Sequence, residues 1–95
     1  MVSKVDRAMG KIQQCVRDVL CIANKTEDFG LAKKRIEQLF TVSKAQNHRH
    51  LAVAQRVRDQ IKRASEDIPS DARPCLDRVL DWLDREHLQE RQQAD

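Results

Sequence analysis

"SKAQNHRHLAVAQRVRDQIKR", residues 43–63, carries six Lys or Arg, two His and one Asp, and holds neither Gly nor Pro. The architecture depends on how it is read. If Asn47 caps a new helix here, the chain folds back on itself once more. If the helix runs through, two segments merge into one long rod. The same stretch poses the functional question. A helix this basic suits a phosphate backbone, an acidic protein partner, or the solvated side of an ordinary bundle.

From Leu51 onward the apolar residues Ala54, Val57, Ile61, Ala64 and Ile68 recur at alternating spacings of three and four, with Leu51 and Val53 flanking them. That spacing lines one face of an α-helix. The preceding segment has the same rhythm in Phe29, Ala32, Ile36, Leu39, Phe40 and Ser43. Near the start, Val5, Met9, Ile12, Val16, Val19 and Ala23 form a stripe that Ala8, Cys15 and Ile22 widen, which predicts contact with more than one neighbouring helix. Ser3 with Asp6 reads as a capping-box-like start, and Thr26 as the N-cap of the second helix, with Glu27 and Asp28 suited to its dipole. The clearest break is "DIPSDARP", residues 67–74, because Pro69 disfavours helix at the residue before it. Ser70 or Asp71 is expected to cap the last helix, with Pro74 in its first turn. That helix presents Leu76, Val79, Leu80 and Leu83, with Cys75 and Trp82 beside them.

The expectation is an all-α single domain, a small antiparallel bundle of three to four helices at about 3–24, 27–45, 48–67 and 71–91, with 89–95 a frayed polar tail. Composition agrees. Ninety-five residues are one domain's worth, four Gly and Pro in total leave few breakers, and 35% charged against 40% apolar marks a strongly amphipathic chain that is too apolar to be disordered. No apolar run is long enough to span a membrane. The first residues, "MVSKVDRAMGKIQQ", lack the apolar core of a secretory signal. Cys15, Cys21 and Cys75 are odd in number and lack CxxC spacing, which suits reduced thiols. A cytoplasmic or nuclear address is expected.

Little in the chain reads as catalytic. His48 and His50 lie two apart and diverge by about 200° on a helix. Cys15 and Cys21 also diverge, so neither pair has ligand spacing, and solvent-facing histidines are expected. Cys75 and His87 are separated by about 18 Å along one helix. Asp77, Asp81 and Asp84 sit one turn apart beside Arg78 and Arg85, as a solvated helix face does. Two glycines cannot build a phosphate loop. The expectation is a non-enzyme with no cofactor, no metal and no small-molecule substrate.

Charge is the stronger signal. The net formal charge of +3 divides into +1 over residues 1–32, +7 over 33–63 and −5 over 64–95. Such asymmetry points to partners. With Ala54, Val57 and Ile61 turned inward, Arg49, Arg56 and Arg63 recur every seven residues along one line, with Lys62 next to it. The line spans about 21 Å. Lys33, Lys34 and Arg35 point in three directions, so at most two of them join that patch. Asp77, Asp81, Asp84 and Glu86 are placed to neutralise it if the last helix lies alongside.

The segment "IEQLFTVSKAQNHRHLAVAQRV", residues 36–57, resembles a helix-turn-helix of the response-regulator type. In that family a Val-Ser turn follows the scaffold helix and a His comes about seven positions on; Val42-Ser43 and His50 stand in that relation. The chain departs from the pattern at Asn47, where the recognition helix has an apolar anchor, and its turn has no Gly. The resemblance covers about a quarter of the chain and implies a nucleic-acid-binding helix from residue 48.

The leading expectation is a helical protein–protein interaction module, an adaptor or regulator. It would bind a protein partner through Arg49, Arg56, Lys62 and Arg63, with Lys33 and Lys34 adding to the patch, or through Trp82 with Asp77 and Asp81. A homodimer is a further expectation, because small bundles with wide apolar faces often complete their cores by pairing. The alternative is a nucleic-acid-binding regulator using the same basic face over 33–63. A membrane-surface role is disfavoured, since the basic helix has no Trp or Phe to insert.

Overall fold

The computed structural model describes residues 4–68 and 70–88, with side chains from Met9 onward. The cap expected at Ser3, the side chains of Val5 and Ala8, Pro69 itself and the polar tail at 89–95 lie outside the described residues.

Four helices form, α1 (Lys4–Lys25), α2 (Phe29–Ala45), α3 (His50–Ser65) and α4 (Arg73–Glu86), and there is no strand among the described residues. Contact registers give the directions. Asp18 meets Arg35, Phe40 meets His50 and His50 meets His87, so each helix runs antiparallel to the next. Met9 meets Arg56 while Arg17 stands by Arg63, so α1 and α3 run parallel. The result is the small antiparallel bundle that the helical periodicity predicts.

The stretch at 43–63 is two helices. α2 closes in a Schellman turn. Asn47 takes a left-handed φ of 62°, the His48 amide donates to the Ser43 carbonyl (2.9 Å), and the Asn47 amide donates to Lys44 (3.0 Å). Glycine usually fills this position; asparagine tolerates it because its short polar side chain costs least among the others. So Asn47 ends α2 rather than capping α3, whose N-cap is Arg49 without a side-chain hydrogen bond. The same finding removes the helix-turn-helix register. Val42 and Ser43 lie inside α2, with Ser43 buried, and the turn comes three residues later.

Two other caps differ from expectation. Asp28, not Thr26, caps α2, accepting from the Leu31 amide at 3.2 Å. The Thr26 hydroxyl instead donates back to the Ile22 carbonyl (2.8 Å), and Glu27 turns the chain at φ 54°. Ala72 is the N-cap of α4, with neither Ser70 nor Asp71 in that role, and Pro74 falls at the first turn as expected. α3 and α4 are correspondingly shorter than 48–67 and 71–91.

One core joins all four helices. α1 contributes Ile12, Cys15, Val16, Val19 and Ala23, and α2 contributes Ala32, Ile36, Leu39 and Phe40. α3 adds Val53, Ala54, Val57 and Ile61, and α4 adds Cys75, Leu76, Val79, Trp82 and Leu83. The wide stripe of α1 touches each of the other three helices. α4 is rotated from the expected face: Cys75 and Trp82 enter the core, and Leu80 is only half-buried. Trp82 lies at the seam toward α2, where Phe29 and Lys33 meet it.

Gly10 sits exposed inside α1, and a Cβ placed there would meet nothing within 4 Å. Gly10→Ala is therefore expected to raise stability by roughly 0.5–1 kcal/mol, through reduced backbone entropy in the unfolded chain. A shift of the urea midpoint upward, with an unchanged slope, is the readout.

Candidate functional site

The basic face is carried by α3, whose inward row of Val53, Ala54, Val57 and Ile61 turns the long side chains outward. Arg49, Arg56, Lys62 and Arg63 are exposed, and none makes an ion pair among the described residues. Arg56 lays one guanidinium nitrogen 3.7 Å from the Met9 sulfur. The cations that do cross the bundle are different ones. Arg35 holds Asp18 of α1 at 2.8 Å, and Arg58 holds Asp84 of α4 at 2.8 Å while also reaching Asp59 at 3.3 Å. The Arg35 hydrogen bond keeps the Asp18 carboxyl below its ordinary range. These pairs are partly exposed, so each contributes no more than about 1 kcal/mol.

α4 neutralises little of the face. Of its four acids, Asp84 pairs with Arg58, and Asp81 pairs with Arg85 on its own helix at 3.1 Å. Asp77 and Glu86 are exposed and unpaired among the described residues. Lys34 is exposed, whereas Lys33 is half-buried with its ammonium 5.6 Å from the centre of the Trp82 ring. That cation–π contact draws Lys33 toward α4 and away from the Arg56–Arg63 line. Trp82 is only 5% exposed, so its indole belongs to the core rim and is not available as a free anchor. The alternative acidic face thus offers Asp77 and Asp81 without their aromatic companion.

Between α1 and α3 lies an open groove of about 550 Å³, lined by Met9, Gln13, Val16 and Arg17 on one side and Gln60, Arg63, Ala64 and Asp67 on the other. Its floor is apolar, made by Val16, Met9 and Ala64, and arginines rise on both walls.

A second constellation comes from residues far apart in the chain. His50, the first residue of α3, and His87, the C-cap of α4, approach to 2.9 Å between Nε2 and Nδ1. One must donate and the other accept, so the contact needs at least one neutral ring. Phe40 lies against both rings at centroid distances of 4.6 and 4.7 Å, and Trp82 meets His87 at 4.7 Å. His50 and His87 are thus half-buried and paired, unlike the solvent-facing histidines expected from sequence. Nothing in the local sequence signals this, because the partners are 37 positions apart. Two ring nitrogens make an incomplete metal set, and no group of three or more potential ligands occurs among the described residues. Nor does a cysteine join the pair. Cys75 lies near Glu27 and Asp28 at the opposite end of α4, and burial raises its thiol pKa. Cys15 is pushed up to about 11 by burial, which keeps it a thiol and a poor nucleophile.

No family model, curated protein or solved structure matches the chain. The chemistry of its surfaces therefore carries the functional reading. No helix among the described residues is long and apolar enough to cross a membrane.

The histidine pair predicts a pH dependence. Desolvation first, and then the neighbouring His50, lower the His87 pKa below 6.5; Lys33 adds to this, while Glu86 and Glu37 oppose it. A depressed folded-state pKa means that the unfolded chain takes up the proton first as pH falls. The stabilising contribution is fully present above 6.5 and is lost as pH drops through the lower, folded-state value. Urea midpoints should fall between neutral pH and pH about 5, and His87→Phe should flatten that slope. A slope unchanged in the variant would show that His87 is not its source.

Proposed function

We propose that this protein is a non-enzymatic helical interaction module, an adaptor or regulator that binds a protein partner through the basic face of α3. The supporting observation is that Arg49, Arg56, Lys62 and Arg63 stand exposed without a carboxylate partner among the described residues, while Arg35 and Arg58 serve the bundle's own ion pairs. Cations kept out of internal pairing retain their electrostatic reach and speed encounter with an acidic surface.

A self-association driven by apolar contact has less support. The exposed large hydrophobics among the described residues are Leu31 and Val42, both on α2 and about 16 Å apart along its axis. They do not form one patch. The reading fits a cytoplasmic or nuclear protein.

The second reading, a nucleic-acid-binding regulator, uses the same face and draws on the even line of Arg49, Arg56 and Arg63. One experiment separates them. Wild-type protein and the Arg56→Glu/Arg63→Glu variant are used for capture from native lysate with and without nuclease, and are titrated with duplex and single-stranded nucleic acid at low and moderate salt. A protein retained after nuclease by the wild type and lost by the variant supports the interaction module. Capture abolished by nuclease, with salt-sensitive nucleic-acid binding, overturns it in favour of the second reading.

A further inference from the structure

Building on the interaction-module reading, we propose that the α1/α3 groove receives an acidic amphipathic helix of a protein partner. An apolar side chain of that helix seats on Met9, Val16 and Ala64, and its carboxylates meet Arg17, Arg56 and Arg63.

Three features of the groove select this occupant. The first is its floor. Val16 is nearly covered by the bundle, while Met9 and Ala64 are only partly buried, which leaves some apolar surface at the bottom of a cleft. Methionine fits itself to varied apolar shapes because its thioether is flexible and polarisable. A nucleic-acid backbone would leave that floor uncovered.

The second is the charge on the walls. Arg17 rises from α1 and Arg63 from α3, both exposed, and Arg56 reaches across to the Met9 sulfur. Asp67 is the one acid among the lining residues. Arginine's planar fork matches a carboxylate in bidentate fashion. Arg56 and Arg63 lie about 10 Å apart along α3, two helical turns, so acids at i and i+7 of a helix running beside α3 come into register.

The third is what the groove lacks. Every Phe and Trp of the chain sits elsewhere, in the cluster built from Phe29, Phe40 and Trp82 with the histidine pair. No aromatic face is left here for bases to stack on. The cleft is walled by two parallel helices and offers no sheet edge for an extended peptide, so a third helix is the segment that fits.

The test uses the full chain and three labelled probes followed by fluorescence anisotropy. One is a helix-forming peptide with Glu along one face and Leu along the other. The second has the same Glu residues with Gln replacing Leu. The third is duplex DNA. The Glu/Leu peptide should bind at least about tenfold tighter than the Glu/Gln peptide, and Arg17→Glu/Arg63→Glu should weaken it by about tenfold or more. Ala64→Lys, which adds charge of the favourable sign but blocks the floor, should abolish the preference for Leu over Gln. Circular dichroism confirms that the variants remain helical.

Equal binding of the two peptides, no measurable binding of either, or indifference to Arg17→Glu/Arg63→Glu overturns the groove. Tighter binding of DNA than of the Glu/Leu peptide, lost in Arg56→Glu/Arg63→Glu, overturns the groove and the interaction-module reading together. A protein captured from nuclease-treated lysate that is lost with Arg49→Glu/Lys62→Glu but retained by Arg17→Glu and Ala64→Lys overturns the groove alone and leaves the module standing.

Discussion

Trp82→Ala lowers the unfolding free energy by about 3–5 kcal/mol, the largest expected single-residue effect in the chain. The indole is 5% exposed and is enclosed on several sides. His87 packs against it at 4.7 Å, Phe29 meets it edge-on at 6.5 Å, and the Lys33 ammonium sits over its face. Truncation removes the contact surface for all three and leaves a cavity between α2 and α4. A domain of this size is stable by only about 5–15 kcal/mol, so the variant should unfold at a far lower denaturant concentration. Trp82→Phe is expected to be much milder. The indole N–H is buried without a hydrogen-bond partner among the described residues, and phenylalanine removes that unpaired donor along with some volume. Urea denaturation followed by circular dichroism gives both values without relying on the lost fluorophore. A cost below about 1 kcal/mol for the alanine variant would mean that the α2/α4 seam is not packed as described.

Ile36→Ala should cost about 2–5 kcal/mol, and Ile36→Val about 0.5–1.5 kcal/mol. Ile36 has no exposed surface and lies on α2, which contacts each of the other three helices. Because α2 packs against all three other helices, a gap at a fully buried position on it is expected to stay open as a cavity. The contrast between the two substitutions is the informative measurement. Similar costs for both would show that the core relaxes around the site instead of keeping a cavity.

Much of this core follows from spacing alone. Ala32, Ile36, Leu39 and Ser43, and likewise Ala54, Val57 and Ile61, are separated by three and four residues, and all are buried. Caps do not follow from spacing in the same way. Thr26 and Asp28 are both chemically able to cap a helix, and the winner is decided by how the Glu27 turn delivers the chain into α2. Ser70 and Asp71 are likewise chemically able to cap α4, yet its N-cap is Ala72, with no side-chain hydrogen bond. Within α4, Trp82 and Leu80 flank opposite edges of the Leu76, Val79 and Leu83 stripe, and packing against Phe29 and Lys33 turns the Trp82 edge inside.

The binding surfaces divide in the same way. The line of Arg49, Arg56 and Arg63 follows from a seven-residue spacing that starts at the N-cap of α3 and continues along it. Which cations remain unpaired does not, because the chain offers several acids and the bundle gives partners to Arg35 and Arg58. The α1/α3 groove has no local signature, as its walls are about fifty residues apart in sequence.

Helix type, core stripes and the outward basic row were determined by the residues themselves, since each is a property of a single rod with 3.6 residues per turn. The turn at Asn47, the meeting of His50 with His87 and the cleft floored by Met9 and Ala64 were decided by tertiary structure alone. A left-handed turn without glycine, or a contact between distant segments, becomes favourable only when the packing of all four helices offsets its local cost in strain and ordering.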